Sequence, residues 1–215
     1  MSSNIPNNKY NRFFNEEVYK NVPKGAEVLD VGCWNGDLAN KLINVKHCKV
    51  DGIEINKQAI KNAKKNGIKN IFEVDLNCRR NELKNIKKKY DCIILADIIE
   101  HLLDPEDFLI SIRGLLKKDG ILVISTPNIA FILYRVKLLF GIFDYVDAPG
   151  VMDKTHTRFF TISSLINILK SCKYDVRRCY GFSAVQNKYF FLRILSIIIP
   201  SLFGIQILLL GKNNK

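Results

Sequence analysis

The run Val28-Leu29-Asp30-Val31-Gly32-Cys33-Trp34-Asn35-Gly36 carries an apolar stretch into a glycine-rich turn. Gly32 lets the chain turn sharply and Gly36 lets backbone come close to a ligand. The helix that follows points its positive N-terminal end at that ligand. About twenty residues on, Glu54 ends the next apolar run, where a carboxylate can accept hydrogen bonds from both hydroxyls of a ribose. Asp75 ends a third run, in Glu73-Val74-Asp75-Leu76. A glycine turn alone is common. Three such endings at the carboxyl edge of one parallel sheet make a nucleoside pocket at the topological switch point. The pocket is not that of a dinucleotide, because Trp34 stands where G-x-G-x-x-G needs its middle glycine, and a P-loop lysine followed by Ser or Thr is also missing.

The elements that must hold these carboxylates follow from the hydrophobic pattern. A lead-in over residues 1–24 is expected to contain a short helix around Asn11–Lys20. Glu27–Val31 reads as a buried strand, Asp37–Val45 as a helix, Val50–Ile55 as a second strand, and Lys57–Asn66 as a helix ended by Gly67. Strands are expected over Ile71–Val74, Tyr90–Ala96 and Ile121–Ser125, and a helix over Pro105–Leu116. Beyond them, Asn128–Phe143 is apolar with Arg135 and Lys137 set into it, and Asp144–Arg158 is polar and loop-like. Ile162–Leu169 reads as a helix and Tyr174–Cys179 as a sixth strand. This alternation implies βαβ units, and the near-continuous apolar strands imply a sheet covered on both faces. The expectation is one α/β domain over residues 1–215: a Rossmann-like, doubly wound sheet, mostly parallel with an antiparallel last strand, and a helical insert or lid over residues 128–160. The last apolar stretch, Tyr189–Leu210, is long enough to span a bilayer. Arg193, Pro200, Gly204 and Gln206 interrupt it, and a helix to about Ser196, a break at Pro200-Ser201 and a buried strand Ile205–Leu210 explain those interruptions better.

The composition fits a globular protein of one domain: 215 residues, 47% hydrophobic and 25% charged. The net charge is +12, and many lysines fall in the runs 57–69 and 79–89. A basic surface attracts nucleic acid, anionic membranes or phosphorylated substrates. No aromatic residues interleave the lysine runs as single-strand binding requires, so they read as solvated helix faces and no nucleic-acid partner is expected. The six cysteines, Cys33, Cys48, Cys78, Cys92, Cys172 and Cys179, make no C-x-x-C pair and no Cys/His cluster of zinc spacing. They read as reduced thiols of a cytoplasmic protein, with no metal site expected. The polar N-terminus lacks the apolar stretch of a signal peptide.

Taken together, the motifs resemble those of class I S-adenosylmethionine-dependent methyltransferases. Leu29 to Gly36 resembles their first motif, usually L-D-x-G-C-G-x-G, and Val50 to Glu54 resembles their ribose-binding strand. Asp75-Leu76 is similar to the segment that holds the adenine. Tyr90 to Pro105 resembles the fourth strand and its loop, usually F-D-x-I-x-x-x-x-V-L-E-H-L-x-D-P, and Leu115 to Asn128 the fifth-strand motif. The resemblance covers about residues 24–130 and includes the ubiquinone-biosynthesis O-methyltransferases and the small MetW-type proteins. Residues 141–145 and 150–161 resemble a variant met among methyltransferases encoded near glycan and lipid-linked sugar genes. The resemblance implies S-adenosylmethionine as cofactor. It assigns Asp30, Gly32 and Gly36 to the cofactor generally, Glu54 to the ribose, Asp75 and Leu76 to the adenine, and the backbone of Ala96 and Asp97 to the methionine end. Trp34 replaces a family glycine that lies against the cofactor, so its indole either lines the methionine pocket or fills part of it.

Because the methyl group rides on a sulfonium, the protein mainly orients the reactants and excludes water. A base is needed only for a hydroxyl or a protonated amine. His101 and His156 are the candidate bases; the alternatives are a packing or capping role for His101 and a surface hydrogen bond for His156. The apolar insert is either a lid over a hydrophobic acceptor, an element lying on a membrane surface, or a core helix on the sheet. The expected activity is methyl transfer to a small-molecule or lipid- or glycan-linked acceptor, on oxygen, with possible peripheral membrane contact. A non-catalytic partner protein on the same fold is the alternative. Ala96-Asp97-Ile98-Ile99-Glu100 stands where a nucleic-acid amino-methyltransferase would carry Asn/Asp-Pro-Pro-aromatic.

Overall fold

The computed structural model describes residues 15–77, 80–183 and 190–213. Residues 11–14 of the first expected helix, Cys78, and Tyr189 at the head of the last apolar stretch lie outside them. The chain runs α1 (Glu16–Asn21), β1 (Glu27–Val31), α2 (Asp37–Lys46), β2 (Lys49–Ile53), α3 (Lys57–Lys65), β3 (Ile71–Phe72), β4 (Tyr90–Ala96), α4 (Pro105–Arg113) and β5 (Leu116–Pro127). It continues through α5 (Ile132–Leu139), α6 (Ile162–Ser171), β6 (Asp175–Phe182), α7 (Phe190–Ile198), α8 (Pro200–Phe203) and β7 (Gln206–Lys212), with 3₁₀ turns over Arg80–Asn85 and Ile99–His101.

The strands form one sheet in the order β3-β2-β1-β4-β5-β7-β6. All neighbouring pairs are parallel except those made by β7, which runs antiparallel to both β5 and β6. The order reverses between β1 and β4, which is the switch point where ligands bind in such sheets. Because side chains alternate across a strand, each central strand feeds two cores. Ile93 and Leu95 of β4 join Leu29, Phe108, Ile112 and Leu165 on the α4/α6 side. Cys92 and Ile94 join Val28, Leu38, Leu42 and Val18 on the α1/α2 side. Full burial of such side chains stabilises by roughly 1.5–3 kcal/mol each.

Capping chemistry sets the helix ends. Asn56 Oδ1 accepts from the amides of Gln58 and Ala59, both at 3.0 Å, and starts α3. Gly67, at φ +101°, follows its C-cap. The largely buried ammonium of Lys46 donates to the carbonyls of Tyr19, Lys20 and Val22 and closes α1.

Several expectations need correction. β3 is only two residues long, not four. α4 stops at Arg113, and Leu116 opens β5 rather than ending a helix. The polar stretch Lys117-Lys118-Asp119 hides that strand: Lys117 bonds Glu27 and Asp91 at the amino edge of the sheet, across a register shift. α5 forms inside the expected insert but has no buried residue, which overturns the reading as a core helix. Among the described residues no helix is long and apolar enough to cross a membrane. The final apolar stretch is divided between α7, α8 and β7, with Pro200 opening α8.

The last turn before β7 is packed backbone to backbone. A Cβ on Gly204 would stand 2.5 Å from Gly181 Cα, and one on Gly181 would stand 2.2 Å from the Pro200 carbonyl oxygen. Neither obstacle is a flexible side chain that could move aside. Gly204→Ala is therefore expected to destabilise the protein by about 2 kcal/mol, read as a lower denaturant midpoint at unchanged slope.

Candidate functional site

A cavity of about 330 Å³ opens at the carboxyl edge of β1, β2 and β4, at the lower end of the size range of small-molecule pockets. Its wall includes Gly32, Trp34, Glu54, Asp75, Leu76, Asp97 and His101 of the sequence-predicted residues. Asp30, Gly36, Ala96 and His156 are not in the wall.

The floor is a turn sewn to the end of β2. The amides of Gly32 and Cys33 donate to the Ile53 carbonyl at 2.8 and 3.1 Å. The Trp34 amide donates to Glu54 Oε2 at 3.0 Å, while Glu54 Oε1 accepts from Ile55 and Asn56, both at 2.8 Å. Three of the roughly four acceptor positions of a carboxylate are thus used by backbone, and about one remains on Oε2 for a ligand hydroxyl. Glu54 is only 8% exposed. Gly32, at φ +69°, is needed twice, because a Cβ there would also meet Ile98 Cδ1 at 2.1 Å. Gly36, at φ +80°, serves helix packing instead: its Cβ would stand 3.0 Å from Ala63 Cα.

Trp34 (φ +46°) and Asp97 (φ +55°) both hold left-handed backbone at the ends of adjacent strands. Such strain clusters at functional sites. The indole forms part of the wall and leaves the cavity open. Asp97 accepts from the Ser125 hydroxyl at 3.2 Å, and Asp75 from the Asn77 amide at 2.9 Å. Sequence reasoning missed Asn77, Ile98, Asp153 and Thr155, which also line the cavity. Asn77 follows directly on Asp75-Leu76, and its amide side chain joins that turn to His101 O and the Leu103 amide. Asp153 and Thr155 belong to the polar loop, where the histidine drew the attention.

The two histidines differ in position. His101 Nδ1 lies 3.1 Å from the Thr155 carbonyl, which only accepts, so in the neutral ring Nδ1 carries the proton and Nε2 the lone pair. His156 is 7% exposed, not at the surface as its alternative reading required. Its Nδ1 lies 2.9 Å from the Val151 carbonyl and its Nε2 4.0 Å from Glu100 Oε1. The two rings meet edge to face at 4.8 Å. Glu100, His101 and His156 are the one grouping among the described residues whose ligand atoms, all within 4.8 Å, could hold a metal ion.

The electrostatics of the cavity oppose those of the whole chain. Among the described residues Glu54, Asp75, Asp97 and Asp153 are in the wall, and no lysine or arginine is. Burial, and then the nearby Glu54 carboxylate, push Asp30 up to about 7. Its folded-state value therefore lies above the unfolded one, so its contribution to stability is fully present below pH ~4 and is lost as pH rises toward 7. Across that window the wild type should lose ~2 kcal/mol or more relative to Asp30→Asn, measured by denaturant unfolding at a series of pH values.

Residues 7–177 match the family model described as a methyltransferase domain. A ubiquinone biosynthesis O-methyltransferase of Pelagibacter ubique (strain HTCC1062) is 30% identical over 174 residues, covering 77% of this chain and 69% of its own. Among solved structures, a SAM dependent methyltransferase from Archaeoglobus fulgidus has a TM-score of 0.63 at 20% identity, covering 92% of this chain and 89% of its own. The N-methyltransferase NodS from Bradyrhizobium japonicum WM9, in complex with S-adenosyl-l-homocysteine, has a TM-score of 0.55 at 15% identity, covering 89% and 80%. At these identities the two structures show the fold. The family match spans most of the sequence, and the chain belongs to the class I S-adenosylmethionine-dependent methyltransferases.

Proposed function

We propose that this enzyme methylates a hydroxyl on a hydrophobic small molecule, lipid- or glycan-linked. The observation that carries the reading is a cavity wall that, among the described residues, holds four carboxylates, one imidazole and no lysine or arginine, in a protein of net charge +12. Such a wall suits a ligand bearing a sulfonium and repels a pyrophosphate. The cofactor supplies the methyl group together with its own leaving group, so the chain's residues position, desolvate and move one proton.

In this reading Glu54 Oε2 accepts from the ribose, Asp75 and Leu76 hold the adenine, and Gly32 and Trp34 shape the floor. Ala96 and Asp97 stand at the methionine end. Asp30 and Gly36 act from behind the wall, Asp30 from its buried place near Glu54 and Gly36 by seating α2 on α3. His101 Nε2 takes the proton of the acceptor hydroxyl. His156 is assigned no proton; it holds the loop that brings Asp153 and Thr155 to the cavity. The oxygen preference is supported by the imidazole in the wall, since an oxygen acceptor gains most from a base, and by the likeness to the Pelagibacter O-methyltransferase.

The first test is calorimetric titration with S-adenosylhomocysteine, with the emission of Trp34, the only tryptophan, as a second readout. Micromolar binding and an emission change are expected, with Glu54→Ala weakening affinity by about tenfold or more. Loss of binding in Asp75→Asn at an unchanged circular dichroism spectrum separates a cofactor contact from a folding defect. The second test offers labelled S-adenosylmethionine with phenolic and sugar hydroxyls carrying an isoprenoid or acyl tail. His101→Gln should lower kcat by roughly 10²-fold or more at unchanged S-adenosylhomocysteine affinity. Transfer confined to amine acceptors would refute the oxygen reading.

A further inference from the structure

Among the described residues, thirteen of the seventeen exposed large apolar side chains fall in two short segments: nine within residues 133–146 and four within 194–199. Leu139 is 81% exposed, Phe140 74% and Ile197 75%. Scattered exposed leucines need no explanation, but contiguous apolar surface does.

The two segments leave one corner of the sheet. β5 ends at Pro127, paired with Gln206 at the start of β7. The next residue, Asn128, is fully buried, and its side-chain amide donates to the carbonyls of Ser201 and Gly204 at 3.2 and 2.8 Å. α5 therefore begins, and the α7–α8 segment ends, at the same carboxyl edge as the cofactor cavity. Beneath α5 lies a cleft of about 170 Å³ lined by Tyr134, Leu138, Ile142, Phe143 and Met152. Met152 is followed directly by Asp153 of the cofactor-cavity wall.

Charge selects the occupant. Residues 120–143 contain Arg135 and Lys137 and no Asp or Glu, and residues 176–215 contain six basic residues and again no Asp or Glu. Arg135 and Lys137 are both exposed on α5. A helix of eight residues is about 12 Å long, too short to cross a bilayer and suited to lie in its interface. Asp144 lines the cleft and Asp147 pairs with Lys154, while α5 itself and the Ile194–Ile199 stretch carry no acidic residue. Apolar side chains beside Arg135 and Lys137 match an anionic lipid surface, where each lysine or arginine adds attraction.

We propose that the α5 segment and the Ile194–Ile199 stretch form a docking face for an anionic phospholipid bilayer, seated beside the cavity mouth. A hydrophobic acceptor then reaches the enzyme from the membrane without crossing water. That delivery role rests on the methyl-transfer reading; the docking itself does not, because vesicle binding needs neither cofactor nor acceptor.

The test is co-sedimentation of the full chain with vesicles of phosphatidylcholine alone or mixed with phosphatidylglycerol. The wild type should pellet with the mixed vesicles, less so at high salt, and stay largely in solution with phosphatidylcholine alone. Leu139→Ser with Phe140→Ser should weaken partition by roughly a hundredfold, and Arg135→Gln with Lys137→Gln by roughly tenfold, both at unchanged S-adenosylhomocysteine affinity. Ile197→Ser with Ile198→Ser probes the second segment independently. Wild-type protein that remains in solution with the mixed vesicles overturns the proposal, as does equal pelleting of all variants. A wild-type dimer in light scattering that Leu139→Ser with Phe140→Ser dissolves also overturns it, in favour of a face between two copies.

Discussion

The carboxylate of Glu54 is the fastening on which the site depends. At the carboxyl edge two strands leave the ladder within a few residues of each other, and their amides lose the partners that the sheet supplied. Buried amides without partners are costly. Glu54 takes up three of them, from Trp34, Ile55 and Asn56, and the Ile53 carbonyl takes two more from Gly32 and Cys33. The turn after β1 is thereby fixed to the end of β2, and the left-handed backbone of Trp34 is held in place. Burial, and then the same charge, raise the proton affinity of Asp30. Position and strain at the cavity floor therefore share one cause, and the electrostatics share part of it.

The opposite wall is held in another way. The Glu100 carbonyl accepts from the amides of Thr157 and Arg158 at 2.9 and 3.1 Å, and its side chain accepts from Thr126 at 3.0 Å. Arg158 donates to the Leu103 carbonyl at 2.6 Å. A loop far along the chain is thus stitched to the turn after β4, which is why Asp153 and Thr155 reach a cavity built mostly from the first hundred residues. Acidic groups gather in the cavity wall while the lysines of α3, which buries only Ala59 and Ala63, stay on an outer helix face. A chain of high positive charge can in this way keep a cation-selective interior and an anion-attracting exterior.

What was legible in the sequence follows the strength of local patterns. β1 and β4 are buried on both faces, so Val28–Val31 and Cys92–Leu95 read as apolar runs, and the glycine turn announced the cavity floor. β3 is an edge strand with little to bury, so its length could not be read; Val74 is buried but has left the ladder. β5 was read short because its first residues, at the amino edge, are lysines answering carboxylates on neighbouring strands. His156 misled because a polar loop suggests exposure. Its burial depends on Val151 and Glu100, contacts that no periodicity encodes. The insert was ambiguous because an apolar helix looks the same in sequence whether its face is covered or bare.

In the proposed reading, that ambiguous insert is where acceptor chemistry resides. One fold hosts many chemistries by varying what is grafted on it, and here the strand ends of β1, β2 and β4 are already committed to the cavity floor and walls. The parts free to differ without disturbing the Glu54 fastening are those of the insert, residues 129–160, which leaves the sheet at the end of β5 and is held through the Glu100 stitches. They carry most of the exposed apolar surface and two of the cavity-wall residues. A change in the insert can therefore alter what approaches the cavity without altering what holds the cofactor.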